Sequence, residues 1–271
     1  MDELLLSNEP VIRLGSFLSL LVILAIAEAV APRRKRLVIR WYRWANNLLI
    51  VLVDTLVLRL LFPAAAVGLA LYVESKGWGV LPLLGLPHPV TIVLSLLLLD
   101  LAIYGQHVAF HKVPLLWRLH RMHHADLDFD VTTGLRFHPG EIILSMGVKF
   151  AAIAALGAPP VAVLFFELIL ASTSMFNHSN LRLALGLDAI LRLVIVTPDM
   201  HRVHHSVVRE ETDSNYGFNV PWWDRLFGTY RAQPEAGHEA MQIGLRMFRT
   251  ERDLRIDRML VQPFIGSARG G

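Results

Sequence analysis

The chain has 271 residues, 54% of them hydrophobic, a formal net charge of +3 and no cysteine. The missing thiol excludes disulfides, zinc ribbons, thiolate-held iron–sulfur clusters and a cysteine nucleophile. The mean hydropathy of +0.47 comes from long apolar runs with charge collected between them, the pattern of a polytopic membrane protein and not of a nucleic-acid binder.

In chain order, the first apolar run covers about Val11 to Ala31. It has the roughly 20 residues a helix needs to cross a bilayer, and no basic start or cleavage pattern of a removed signal peptide. The second covers about Leu48 to Val73 and is interrupted by Arg59, which predicts either a tilted span or a buried partner for that arginine. The third covers about Val90 to Ala109, with Asp100 near its inner end. The fourth and fifth, Ile142 to Leu156 and Val161 to Ser174, are parted by Gly157-Ala158-Pro159-Pro160. Each is short for a span, so a re-entrant hairpin and two short spans both remain open, while the Pro-Pro break is firm.

Orientation follows from the basic loop that holds Arg33, Arg34, Lys35, Arg36, Arg40 and Arg43, against an acidic N-terminal tip of Asp2, Glu3 and Glu9. The positive-inside rule puts that loop in the cytoplasm and the N-terminus outside. Segments 107–141 and 177–271 then share the cytoplasmic side. The last segment is mixed in character and ends in Ser-Ala-Arg-Gly-Gly, which reads as a loose tail.

Three histidine boxes stand out: His107 and His111 in HVAFH, His120, His123 and His124 in HRMHH, and His201, His204 and His205 in HRVHH. Helical residues three and four apart share a face, so each box offers two or three imidazoles to one point. Neutral imidazole suits iron, zinc, copper and nickel, and eight such ligands are too many for one ion. His178 in NHSN and His138 in RFHPGE add two more candidates in polar contexts. Asp199, Asp126, Asp128 and Asp130 lie close by in sequence as acceptors for the ligands' outer nitrogens. His88 and His238 read as ordinary hydrogen-bonded residues. Phe110, Trp117, Phe129, Phe137, Phe176, Trp222 and Trp223 are candidate pocket walls, with interface anchoring as the competing reading. HExxH, GxSxG, Walker and GxGxxG motifs are absent.

The order HxxxH, HxxHH, then a distal HxxHH resembles the fatty acid hydroxylase and sterol desaturase superfamily of integral-membrane di-iron enzymes. RFHP, NHSN, DMHRVHH, NYGFN at 215–219 and WWDRLFGTY at 222–230 extend the likeness over about residues 95–232. The resemblance implies an all-α polytopic membrane protein whose cytosolic helical cap holds a di-metal histidine site. It implies two iron ions, which zinc readily replaces in purified protein, with O2 as co-substrate. Its ligands would be His107, His111, His120, His123, His124, His178, His201, His204 and His205, with His138 the least firmly matched. Asn177, Asn215, Tyr216 and Asp224 match positions that are structural or support the ligands.

The expected activity is hydroxylation or desaturation of a hydrophobic lipid such as a sterol or fatty acyl chain drawn from the bilayer. No fused redox domain is visible, so electrons would come from a separate ferredoxin or b-type cytochrome with its reductase, and no nucleic acid is involved. The expected division is 1–90 as N-terminal membrane helices, 91–232 as the catalytic domain and 233–271 as a C-terminal cytosolic tail, in a bacterial inner membrane. The rival classes are a membrane metal transporter, which needs more polar residues within its spans, and a haem electron carrier, which has no use for adjacent histidine pairs.

Overall fold

The computed structural model describes residues 2–62 and 64–266. Among them the chain is helical, with no strand beyond two isolated bridges, Pro32 with Leu181 and Ser206 with Ile243. The principal helices are α1 (Asp2–Ser7), α2 (Glu9–Val30), α3 (Arg40–Leu61), α4 (Ala65–Lys76), α5 (His88–Lys112), α6 (Pro114–His124), α7 (Pro139–Leu156), α8 (Pro160–Asn177), α9 (Leu185–Leu191) and α10 (Pro198–His204). Prolines at the first helical position start α6, α7, α8 and α10, where the missing N–H costs nothing. Gly77 and Gly157 end α4 and α7 in the left-handed region, at φ 64° and 66°, as helix C-caps commonly do.

Five helical segments among the described residues are long and apolar enough to cross a membrane: α2, α3 with α4, α5, α7 and α8. The protein is an integral membrane protein with several passes. Its intramembrane core joins Ala66, Val67 and Ala70 of α4, Leu99 and Ile103 of α5, Ile153 of α7 and Leu164 and Phe166 of α8. Small residues at such contacts let helices approach closely where lipid offers no hydrophobic drive. α5 packs against α6, α7 and α8, while α2 lies on α8 and α3 on α7.

The structure sharpens the sequence reading at three places. α7 and α8 have 18 residues each, about 27 Å at the usual helical rise, and each meets the length and hydropathy of a span. The second run is not one helix: α3 stops at Leu61 and α4 begins at Ala65. Arg59 lies exposed in the last turn of α3 and has no buried partner of the kind its sequence position suggested.

The basic loop and the histidine boxes lie together at one end of the helices. Arg33 bonds Asp199 and Glu239, and Arg34 reaches the carbonyls of His238 and Met241. Residues expected to form a tail close over this end. Leu254 packs with Val38 and Leu127, Met259 with Ile50 and Met122, and Arg118 Nε donates to the Pro263 carbonyl at 2.5 Å. The loose tail expected at Ser-Ala-Arg-Gly-Gly falls on residues 267–271, outside the described residues.

Candidate metal centre

α5 carries His107 and His111 on one face, and α6, joined to it by a sharp turn at Val113-Pro114, returns His120, His123 and His124 against them. His178 caps the end of α8, and α10 supplies His201 and His204, with His205 as its C-cap. Their ring nitrogens fall into two groups, each within 4.8 Å: His107, His111, His120, His124 and His204 in one, and His123, His178, His201 and His205 in the other. The HxxHH box is the device that splits them. α6 sends His120 and His124 to the first group and His123 to the second, while α10 sends His204 to the first and His201 and His205 to the second.

The outer nitrogens define the tautomers. Nδ1 of His107 donates to the Tyr216 carbonyl at 2.6 Å, of His123 to the Arg136 carbonyl at 3.1 Å, of His178 to the Ser174 carbonyl at 2.7 Å and of His204 to the Ser214 carbonyl at 2.7 Å. His120 Nδ1 meets Glu141 Oε1 at 2.7 Å. With the proton at Nδ1, each Nε2 is a bare lone pair. His107 Nε2 lies 3.1 Å from His120 Nε2 and 3.0 Å from His204 Nε2. His178 Nε2 lies 3.1 Å from His123 Nε2, 3.1 Å from His205 Nε2 and 3.0 Å from His201 Nε2. Between His107 and His204, and between His178 and His123, whose protons are fixed on carbonyls, the lone pairs face each other and repel unless a cation lies between them. Two imidazoles at right angles on an ion with metal–nitrogen bonds of about 2.0–2.1 Å sit about 2.9 Å apart, so the donor set fits a metal ion in each group. The chemistry of the ligands does not fix which metal.

Electrostatics agree. Burial pushes His120 and His178 down to about 3. Burial and then the neighbouring imidazoles hold His123, His124, His201, His204 and His205 well below the ordinary histidine value. The rings are therefore neutral, the form that ligates. Gly134 makes room for one of them: a Cβ there would meet the Ser174 carbonyl oxygen at 2.4 Å and His178 Nδ1 at 3.0 Å.

The aspartates expected behind the ligands serve elsewhere. Asp126 takes Arg43 at 2.8 and 2.6 Å, and Asp130 takes Arg43 at 2.5 Å. Asp128 accepts from the backbone of Leu37 and Val38, and Asp199 holds Arg33 and Arg202. Burial raises Asp126, but the charges of Arg43 and Arg136 outweigh it and bring it down to about 2. A buried guanidinium demands carboxylates more strongly than a neutral imidazole does. His138 also stands apart from both groups. It caps α7, accepting from Gly140 N–H at 3.0 Å, and its Nε2 lies 3.2 Å from the Leu260 carbonyl.

Residues matched to structural roles support the loops. Asn215, at φ 52°, bonds the carbonyls of Met200 and Arg231. Asp224 accepts from the backbone of Tyr216 and Gly217 at 2.8 Å each, and Asn177 holds the Phe218 carbonyl at 2.9 Å. His88 faces Asp2 at 2.9 Å and His238 lies beside Asp199.

A cavity of about 390 Å³ runs from His107 and His120 into the membrane-spanning helices, walled by Ile103, Phe110, Leu135, Phe137, Leu170 and Phe218. Two of the seven aromatics expected to form a pocket, Phe110 and Phe137, line it. Phe129 packs on His205, Trp117 on His111, Phe176 among Leu24 and Val131, Trp222 bonds the Leu193 carbonyl and Trp223 holds Asp100 at 2.8 Å. Sequence reasoning missed Glu141 and Asp54 on the walls, and an apolar span with one acidic residue was the signal available for Asp54.

These features define a class: a helical membrane protein whose buried histidine centre has the donors for two metal ions at the head of an apolar cavity. The sequence model of the fatty acid hydroxylase family matches residues 92–229, and the chain belongs to that family. It is 32% identical over 148 residues to ornithine lipid hydroxylase OlsE of Rhizobium tropici, covering 55% of this chain and 44% of that one. It is 31% identical over 136 residues to alkylglycerol monooxygenase of Homo sapiens, covering 50% and 29%. It is 26% identical over 149 residues to cholesterol 25-hydroxylase of Rattus norvegicus, covering 54% and 48%. The chain thus spans less than half the length of these relatives. No solved structure matches it.

Proposed function

We propose that this chain is a membrane-embedded di-iron oxygenase that hydroxylates, or desaturates, a lipid. The observation that carries the reading is the pair of imidazole groups, with lone pairs facing at 3.0 Å between His107 and His204 and at 3.1 Å between His178 and His123, the first group opening on an apolar cavity. Nine histidines would hold the ions: His107, His111, His120, His124 and His204 in one place and His123, His178, His201 and His205 in the other. When bound, the iron pair supplies the oxygen activation and C–H oxidation that no side chain performs. The chain's own residues do the rest. The carbonyls of Tyr216, Arg136, Ser174 and Ser214 and the carboxyl of Glu141 fix each imidazole's orientation. Phe110, Phe137 and Phe218 present a dry wall to an alkyl chain.

The names of the relatives, which hydroxylate an ornithine lipid, alkylglycerols and cholesterol, support a lipid as substrate. Two electrons would come from a separate ferredoxin or b-type cytochrome. The basic loop favours a cytoplasmic site, and residues 91–232, which hold all nine of these histidines, would be the catalytic unit.

The test is metal content per chain of detergent-purified protein expressed with iron, wild type beside a His123→Ala, His204→Ala double variant that removes one ligand from each group. About two ions in the wild type and clearly fewer in the variant are expected. One ion or none in folded wild type would overturn the di-metal reading.

A further inference from the structure

The polar atoms of the cavity do not balance. Its two cations are already used: Arg13 Nη2 lies 2.5 Å and Lys149 Nζ 2.6 Å from the two oxygens of Glu167, and Arg13 also holds Glu9 at 2.7 Å. Nearer the histidines the walls carry three buried oxygens with no hydrogen-bond partner. Glu141 spends Oε1 on His120 and leaves Oε2 unpartnered, and Gln106 gives Nε2 to Ser145 and leaves Oε1 unpartnered. Asp54 of α3 is the extreme case. Its residue is 7% exposed, it lines the cavity, its Oδ1 has no partner, and among the described residues its carboxyl makes no hydrogen bond or ion pair.

A buried carboxyl with nothing to bond is costly, and an ionisable residue inside a membrane span marks a functional position by default. A bare hydrocarbon would leave all three acceptors unsatisfied. An anionic head would find no cation to pair with, because Arg13 and Lys149 are both committed to Glu167. A hydroxyl or an amine brings the donor they lack.

We propose that Asp54 is a specificity-determining residue that receives an O–H or N–H donor on the substrate. On the reading of this chain as a lipid oxygenase, its substrate is then an amphiphile bearing a hydroxyl or amine. Asp54, Glu141 and His120 all line the one cavity of about 390 Å³, so the donor and the oxidised carbon would occupy the same space.

The test is thermal unfolding of the full-length protein in detergent with 1-hexadecanol, hexadecylamine, hexadecanoate or n-hexadecane at equal mole fraction. In wild type, the alcohol raises the melting temperature, the amine raises it further by taking the carboxyl's proton and pairing with it, and the alkane and carboxylate leave it unchanged. Asp54→Leu weakens apparent affinity for the alcohol about tenfold, the scale of one lost hydrogen bond to a polar group in a dry site. Asp54→Asn keeps the alcohol's effect and loses the amine's advantage, which separates hydrogen bonding from charge and decides the matter if the leucine variant does not fold. Equal stabilisation of wild type by hexadecane and hexadecanol would overturn the proposal, as would an unchanged amine preference in Asp54→Asn. The readout needs neither oxygen nor electrons, so loss of turnover with intact alcohol preference would count against the oxygenase reading alone.

Discussion

The two imidazole groups are built from the same helices yet meet different surroundings. The first, around His107 and His204, touches two spaces: His107 and His120 line the membrane-level cavity, and His111 lines a second cavity on the polar side with Lys112, Trp117 and Arg246. The second, around His178, is closed in by Phe129, Phe137 and Phe218. Its four ligands line neither cavity. One group is placed to meet small molecules and the other to be left undisturbed, an asymmetry that the matching HxxHH boxes do not announce.

The strongest perturbation should erase the difference. Arg43 is buried against Asp126 and Asp130 in the segment that follows His123 and His124. Arg43→Ala leaves two carboxylates without their cation, and about 3–5 kcal/mol of stability should be lost, read as a fall in melting temperature together with loss of both metals.

Acidification acts on both groups too, through the metal-free protein. The folded-state values of His120 and His178 sit at about 3 against an ordinary 6.5, so between those limits the unfolded chain binds more protons. Stability is therefore full above pH 6.5 and lost as the pH falls towards 3, by up to about 1.4 kcal/mol per pH unit for each such histidine. Melting temperatures of apoprotein across that range measure it, and a flat profile would contradict the burial described.

Smaller changes should separate the groups. Gly134→Ala drives a methyl into the Ser174 carbonyl and His178, so one metal ion should be lost and the other kept, with a cost of about 1–3 kcal/mol. Glu141→Gln touches only the first group, through His120, and should weaken its metal about 10–100-fold, the usual effect of removing a ligand's outer partner. Isothermal titration of apoprotein would show the two sites diverge. The mildest test alters nothing covalent: a small chelator should strip metal in two phases, the faster from the group that lines the cavities. A single phase would mean that the enclosure of the second group has no kinetic weight.

The spacing of the ligands was legible in the sequence because a helix turns i, i+3 and i+4 into one face, and nine candidate histidines do converge in two groups. The outer partners were not legible. They are mostly backbone carbonyls of Arg136, Ser174, Ser214 and Tyr216, and no residue type marks a carbonyl. Asp126 and Asp130 looked like histidine partners because they follow the second box, but Arg43, about 85 positions earlier in the chain, had the stronger electrostatic need. His138 precedes Pro139, and that proline turns it into a helix cap. Four of the five spans were readable to within three residues, whereas the second, read from about Leu48, begins at Arg40, and the stop at Leu61 and restart at Ala65 divide its one hydropathy run into two helices.

α3 belongs to both halves of the molecule. Near its start Arg43 clamps Asp126 and Asp130, about three turns later Asp54 lines the cavity, and just past its far end Phe62 rests edge-on against the half-buried Phe150 of α7. One helix thus ties the segment beside the histidine boxes to the lipid-embedded end of the bundle, and the expected consequence is that metal retained per chain varies with acyl-chain length in nanodiscs.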